Sequence, residues 1–240
     1  MALITLTSDF GEGSPYVAAM KARLLAGCHG ATLIDVSHSV PAFDVVAGAF
    51  VLWAGTRHFE PGAVHLAVVD PGVGGPRRAV AFALRGSWYV GPDNGLFGLV
   101  LTEAEPERPT GVELARPPGA SPTFEGRDLF APVAASLAAG SQLDGLGPPL
   151  SRPLLGLPPG PPCILWVDSF GNLVTSLKPP VSGLRVNGRE VQNLARTFAE
   201  APRGAPFLYV GSMGYLEIGL REARADERLG ARPGTPVELL

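Results

Sequence analysis

The chain has 240 residues, 46% of them hydrophobic and 17% charged, and a formal net charge of −3. Such a length buries a sizeable core and fits one large or two modest domains, and the composition excludes a disordered chain. The mildly acidic balance, without any Lys/Arg-rich run, argues against a nucleic-acid partner, and the longest apolar run, residues 45–55, is too short to span a bilayer.

Residues 3–6 predict a first strand. Ser14 and Pro15 supply an N-cap and a first-turn proline for a helix over 16–26, where Tyr16, Met20 and Leu24 recur at i, i+4 and i+8. A strand over 32–36, a helix over 44–54 and a strand over 64–69 continue an alternation that argues for a parallel sheet. Strands over 79–84 and 87–90 flank an Arg85-Gly86 turn. A further helix is expected over 128–139, with Pro132 in its first turn. Residues 145–162 contain seven prolines, which no helix or central strand tolerates, and read as an interdomain linker of extended character. Beyond it only short strand-like runs follow, at 163–167, 173–177, 183–186, 207–210, 215–218 and 236–240. The expected fold class is α/β, with an N-terminal α/β domain on a mostly parallel central sheet (1–144) and a smaller C-terminal antiparallel β domain (163–240).

Chemistry-bearing residues concentrate at strand ends. Residues 65–78 run from an apolar strand into Asp70, a glycine-rich turn and the pair Arg77 and Arg78. Pro71, Gly72, Gly74 and Gly75 end the strand and let backbone approach a ligand closely. Asp70 then sits at a strand's carboxyl end, where open α/β sheets bind ligands. Alone, this segment is explained as well by an Asp-Pro-Gly turn with a surface ion pair. Segments 4–11, 89–96 and 163–172 repeat the pattern, however, and four aspartate-bearing strand ends point to a convergent polar site. The glycines of the Asp70 turn lack the G-x-G-x-x-G spacing and lead into a strand, which sets aside a dinucleotide loop. His29, His38, His58 and His65 show no helical metal spacing, so no metal is expected, and His38 reads as a structural histidine. Cys28 and Cys163 match no zinc or redox pattern, and the first residues carry no charged leader. A cytoplasmic protein with free thiols is expected.

Taken together, TSDFG at 7–11, DVSHS at 35–39, VDPGVG at 69–74, GPDNG at 91–95, TFEGRD at 123–128, DSFGN at 168–172 and GSMGYLE at 211–217 resemble one family. They are similar to the S-adenosyl-L-methionine hydroxide adenosyltransferases, relatives of the fluorinase and chlorinase, over nearly the whole chain. The resemblance implies a homotrimer with sites between the N-terminal domain of one subunit and the C-terminal domain of the next. It implies S-adenosylmethionine as a small-molecule substrate, no cofactor, no metal and no membrane partner. The implied reaction is hydrolysis to adenosine and L-methionine by attack at ribose C5′. Asp9 would hold the ribose 2′ and 3′ hydroxyls, and Phe43 and Asn94 would lie near the nucleoside. Asp168 would take the methionine ammonium, Phe170 and Asn172 would contact adenine, and Ser212 would meet the methionine carboxylate. By themselves, Asp9 equally caps a turn, Phe43 equally fills a core, and Asn94-Gly95 equally makes a tight turn.

The family's catalytic set is Asp, Arg and His. Asp70 and Arg77 match the first two, whereas Glu125 stands at the third position. A sulfonium leaves as a neutral thioether and needs no general acid, so the site must supply an aligned, desolvated nucleophile. Arg77 cannot act as base, because a guanidinium does not deprotonate in proteins. Its expected role is to orient Asp70 and a water, with Asp70 or Glu125 accepting the proton. Two close carboxylates are expected to raise one pKa. A second reading is a non-catalytic binder of S-adenosylmethionine or adenosine that lost hydrolysis with the histidine. Halogenation is disfavoured, since Asp70 and Val73 stand at the loop positions where halogenating relatives surround a halide. Met213 stands where those relatives carry an arginine.

Overall fold

The computed structural model describes residues 2–157 and 160–240, which divide at residue 158 into two compact units. In the first unit the elements run β1 (Leu3–Ser8), α1 (Pro15–Gly27), β2 (Thr32–Ser37), α2 (Val45–Thr56), β3 (Val64–Val68), β4 (Ala79–Leu84), β5 (Ser87–Pro92), α3 (Gly98–Ala104), β6 (Thr110–Glu113) and α4 (Ala131–Ala138). The sheet order is β2-β1-β3-β5-β4-β6. The first four strands are mutually parallel, while β4 is antiparallel to both β5 and β6. That single reversal positions the site. Because β4 runs against its neighbours, its beginning lies at the sheet edge where the parallel strands end, with Ala79 opposite Pro92.

Ile4 and Leu6 face a core shared with Met20 and Leu24 of α1 and with Ala131, Ala134 and Ala135 of α4. Backbone contact there is close: a Cβ added to Gly27 would stand 2.7 Å from that of Ala135. Thr5 points the other way and meets the buried His65 at 2.8 Å. Helix α2, capped by the Asp44 side chain on Ala47 N, is apolar nearly all round and packs on β1, β2 and α3. Ser14 caps α1 and Pro15 opens it, as the sequence predicts. The predicted helix over 128–139 differs in its start. Residues Gly126–Phe130 form a π turn before α4. Pro132 has no N–H to return to residue 128, so the regular ladder begins only at Ala131 and the preceding turn is wound wide.

Part of the proline-rich stretch is held by the first unit. Leu150 N bonds Gly111 O, and Arg78 donates to the carbonyls of Arg152 (3.0 Å) and Pro153 (2.8 Å). Asp93 accepts from Leu155 N through Oδ1 and pairs with Arg78 through Oδ2 at 2.5 Å. Residues 158 and 159 lie outside the described residues. The Arg78 and Asp93 side chains are both buried, and Arg78 has a second carboxylate partner in Glu113 at 3.1 Å. Asp93→Ala removes one of the two and leaves Leu155 N without its acceptor, and is expected to destabilise the unit by about 1–3 kcal/mol, read as a lowered urea midpoint. A midpoint within experimental error of wild type would show that the pair does not hold this segment.

The second unit contains β7 (Ile164–Val167), β8 (Leu173–Thr175), β9 (Leu184–Val186), β10 (Arg189–Val191), β11 (Asn193–Leu194), β12 (Phe207–Val210), β13 (Leu216–Gly219), α5 (Ala225–Leu229) and β14 (Val237–Leu239). They form a five-stranded sheet, β11-β12-β13-β8-β7, and a three-stranded sheet, β10-β9-β14. Every pairing except β11 with β12 is antiparallel. Ile164, Leu173, Leu184, Val186, Leu208 and Ile218 are central to its core. The fold is therefore α/β with a parallel-rich sheet followed by antiparallel sheets. Among the described residues no helix is long and apolar enough to cross a membrane.

Candidate active site

Strands β1 and β3 end side by side, with Ser8 paired to Val68, so Asp9 and Asp70 emerge together at one sheet edge. Between them opens a cleft of about 290 Å³ lined by Asp9, Phe43, Asp70, Val73, Glu125 and the aromatics Phe10, Tyr16 and Phe124. The last three rings meet edge to face, with centroids 5.1–6.1 Å apart. One oxygen of Asp9, Oδ2, accepts the Phe43 backbone N–H at 2.9 Å. Phe43 holds that contact at φ +67, a left-handed conformation disfavoured for a bulky residue, and its side chain is 71% exposed.

Behind Asp9, the Ser8 hydroxyl lies 2.7 Å from His38 Nδ1, and His38 Nε2 lies 3.1 Å from Asp35 Oδ1. This is a Ser-His-Asp spacing, but Ser8 is fully buried and cannot reach a substrate. It fixes the residue before Asp9, and His38 is structural in the sense expected. Asn94 is also occupied with backbone. Its Nδ2 donates to Val69 O (2.9 Å) and its Oδ1 accepts from Leu96 N (3.2 Å), so it braces the chain just before Asp70.

Behind Asp70 and Glu125, which line the cleft, lies a buried ion cluster. Arg77 Nε donates to both oxygens of Asp70 at 3.0 and 3.1 Å, and its Nη2 bridges Asp70 Oδ2 and Glu125 Oε2. The other oxygen of Glu125 accepts from Arg116 Nε, and Arg116 Nη2 reaches Gly75 O at 2.8 Å. Side-chain exposure is 4% for Asp70, 1% for Glu125 and 10% for Arg77, against 42% for Arg116. Burial works against the Arg77 charge, but its bonds and charge interactions with Asp70 and Glu125 outweigh this and hold the guanidinium more firmly protonated than usual. Arg77 Nη1 is buried with no protein partner. The two carboxylates expected from sequence are thus together, yet they are separated by Arg77 and matched by a second guanidinium that the sequence did not single out. The glycine turn fits closely against this arrangement, since a Cβ at Gly74 (φ +75) would strike the Pro122 carbonyl.

In the second unit Asp168 follows β7. Its Oδ1 accepts from Phe170 N (2.9 Å) and Asn172 N (2.8 Å), and its Oδ2 from Asn172 Nδ2 (2.8 Å). Asp168 and Asn172 are thereby tied to each other, and they present Phe170 with 75% of its surface exposed. Phe170, Asn172, Phe198, Leu220 and Arg224 line a cleft of about 540 Å³. Arg224 donates to Ser169 O at 3.0 Å and pairs with Asp226, so the charged stretch after residue 220 borders this cleft. Ser212 is exposed on a turn closed by Gly214 N to Gly211 O. Beneath that turn Glu217 is buried and accepts from the Tyr209 hydroxyl. Burial pushes the Glu217 carboxyl up; the Tyr209 bond opposes the rise and the Asp168 charge adds to it. Among the described residues no group of three His, Cys, Asp or Glu side chains could hold a metal ion.

An α/β unit whose sheet edge bears this cleft is followed by a β unit with an Asp-Ser-Phe-Gly-Asn turn, a two-unit α/β architecture. The chain belongs to the SAM hydroxide adenosyltransferase family: residues 4–147 match the model of its N-terminal domain and residues 162–238 that of its C-terminal domain. It is 47% identical to a protein of Thermus thermophilus named (R)-S-adenosyl-L-methionine hydrolase, the match covering 97% of each chain. A Salinispora arenicola protein of the same name is 40% identical over 98% of this chain and 97% of its own. Fluorinases match at 25–30% identity. A crystal structure of an uncharacterized conserved protein from Thermotoga maritima superposes with a TM-score of 0.88 at 29% identity, covering 99% of this chain and all of the other.

Proposed function

We propose that this chain hydrolyses S-adenosyl-L-methionine to adenosine and L-methionine, with the (R) form carried in its relatives' names as substrate. The observation that carries the mechanism is the pair of buried carboxylates, Asp70 and Glu125, which line the cleft and are bridged by the one Arg77 guanidinium. A water in the cleft would lie beside both. Its oxygen attacks C5′, the C5′–S bond breaks, and the bonding pair returns to sulfur as the neutral thioether of methionine. The proton lost by the water passes to a carboxylate of the Asp70/Glu125 pair. Asp9 would accept the ribose hydroxyls through the oxygen that Phe43 leaves free, aided by the Phe10, Tyr16 and Phe124 wall. Asp70 and Val73 in the cleft disfavour a halide as nucleophile. The binding-only reading finds no support in the relatives' names.

The second unit would supply Asp168, Phe170, Asn172 and Ser212 to the methionine and adenine ends. We infer a homotrimer with each site shared between subunits, which rests on the family resemblance alone. A cytoplasmic location is inferred from the cysteine spacing, which matches no zinc or redox pattern. Purified protein is to be incubated with the (R) and (S) forms separately, with adenosine and methionine followed by chromatography and a boiled control alongside. Equimolar products, formed faster from the (R) form, are expected. Tight binding without product from either form would overturn the hydrolase reading.

A further inference from the structure

We propose that Arg116 is a positioning residue for this reaction, acting through Glu125; the proposal rests on the hydrolase reading above. Glu125 is 1% exposed and shares the Arg77 guanidinium with Asp70, so without Arg116 two buried carboxylates would face one cation. Such an arrangement is costly in a desolvated site. Arg116 makes the count two and two. It also fixes the Glu125 geometry, because each carboxylate oxygen then has its own guanidinium.

The second bond of Arg116 gives the pairing a mechanical role. Through Gly75 O it ties the glycine turn, two residues before Arg77, to the segment that carries Glu125. Its own chain is anchored where Leu114 N bonds Ala79 O, beside the start of β4. Arg116 therefore closes a bracket around the cluster from outside the cleft; it is not among the residues that line it. An exposed ion pair contributes little in general, but here the partner is desolvated, lines the cleft and shares the Arg77 guanidinium with Asp70.

The test compares kcat and KM of the full-length protein with its Arg116→Ala and Arg116→Lys variants. Arg116→Ala is expected to lower kcat about tenfold or more with KM changed less than about threefold. Arg116→Lys should recover most of the loss. Millimolar guanidinium ion should restore turnover to Arg116→Ala in a saturable manner, since the side chain it replaces is 42% exposed and can be reached from solvent. An unchanged kcat, a loss carried by KM, or a loss that neither lysine nor guanidinium repairs would overturn the proposal. Wild-type protein without turnover would overturn the parent reading and this one together. Wild-type turnover with an indifferent Arg116→Ala overturns this one alone.

Discussion

Replacing Arg77 with alanine is expected to lower turnover by about three orders of magnitude while leaving S-adenosylmethionine binding within about tenfold of wild type. The side chain makes three contacts with Asp70 and one with Glu125, from behind the cleft that those carboxylates line. Its removal takes away the orientation of both carboxylates and the charge between them at once. It also leaves two buried carboxylates to repel each other, so Arg77→Lys is the companion variant: it keeps the charge but cannot bridge two acceptors in a plane. Single-turnover kinetics should show Arg77→Lys intermediate between wild type and Arg77→Ala. Asp70→Asn should match the alanine variant, because its amide cannot take the water's proton and offers the guanidinium fork one acceptor oxygen where the carboxylate offers two. Calorimetric titration separates binding from chemistry. If Arg77→Ala lost binding and turnover in equal measure, Arg77 would be a ligand contact and the mechanism would fail.

The second large effect is expected at Asp9. Oδ2 is committed to the Phe43 N–H, and Oδ1 has the free lone pairs that a vicinal diol needs. Charge-assisted hydrogen bonds contribute roughly 1.5–3 kcal/mol each, so Asp9→Ala should lose about a hundredfold or more in kcat/KM. Most of that should lie in KM. A substrate analogue lacking the 2′ hydroxyl offers the matching control, since it should distinguish wild type from Asp9→Ala far less than the natural substrate does. Equal losses with both substrates would place the diol elsewhere.

The strand ends were legible because their grammar is local. An apolar run followed by Asp and Gly identifies the sheet edge for Asp9 and Asp70, and parallel topology then brings the two side by side. Glu125 was legible as a departure from a motif. Its partner was not, because Arg116 lies in a loop with no periodicity and reaches Glu125 through a fold-level contact. Asn94 and Asp168 show the limit from the other side. Their side chains are occupied by the turns they build, a local role that motif resemblance cannot separate from ligand contact. The hairpin β9–β10 had a readable signal, Asn187-Gly188, with both residues at positive φ in the tight turn. Helix α3 had none, since Phe97 at its start makes no side-chain cap. The start of α4 turned on one atom, the hydrogen that Pro132 lacks.

Phe43 breaks two rules of folding at once. A bulky residue in the left-handed region costs about 1–2 kcal/mol relative to glycine, and an aromatic ring left in water forgoes its burial. A chain selected for rigidity alone would carry glycine or asparagine there. The strain is a cost in stability carried at the mouth of the cleft, the opposite of what packing alone would select.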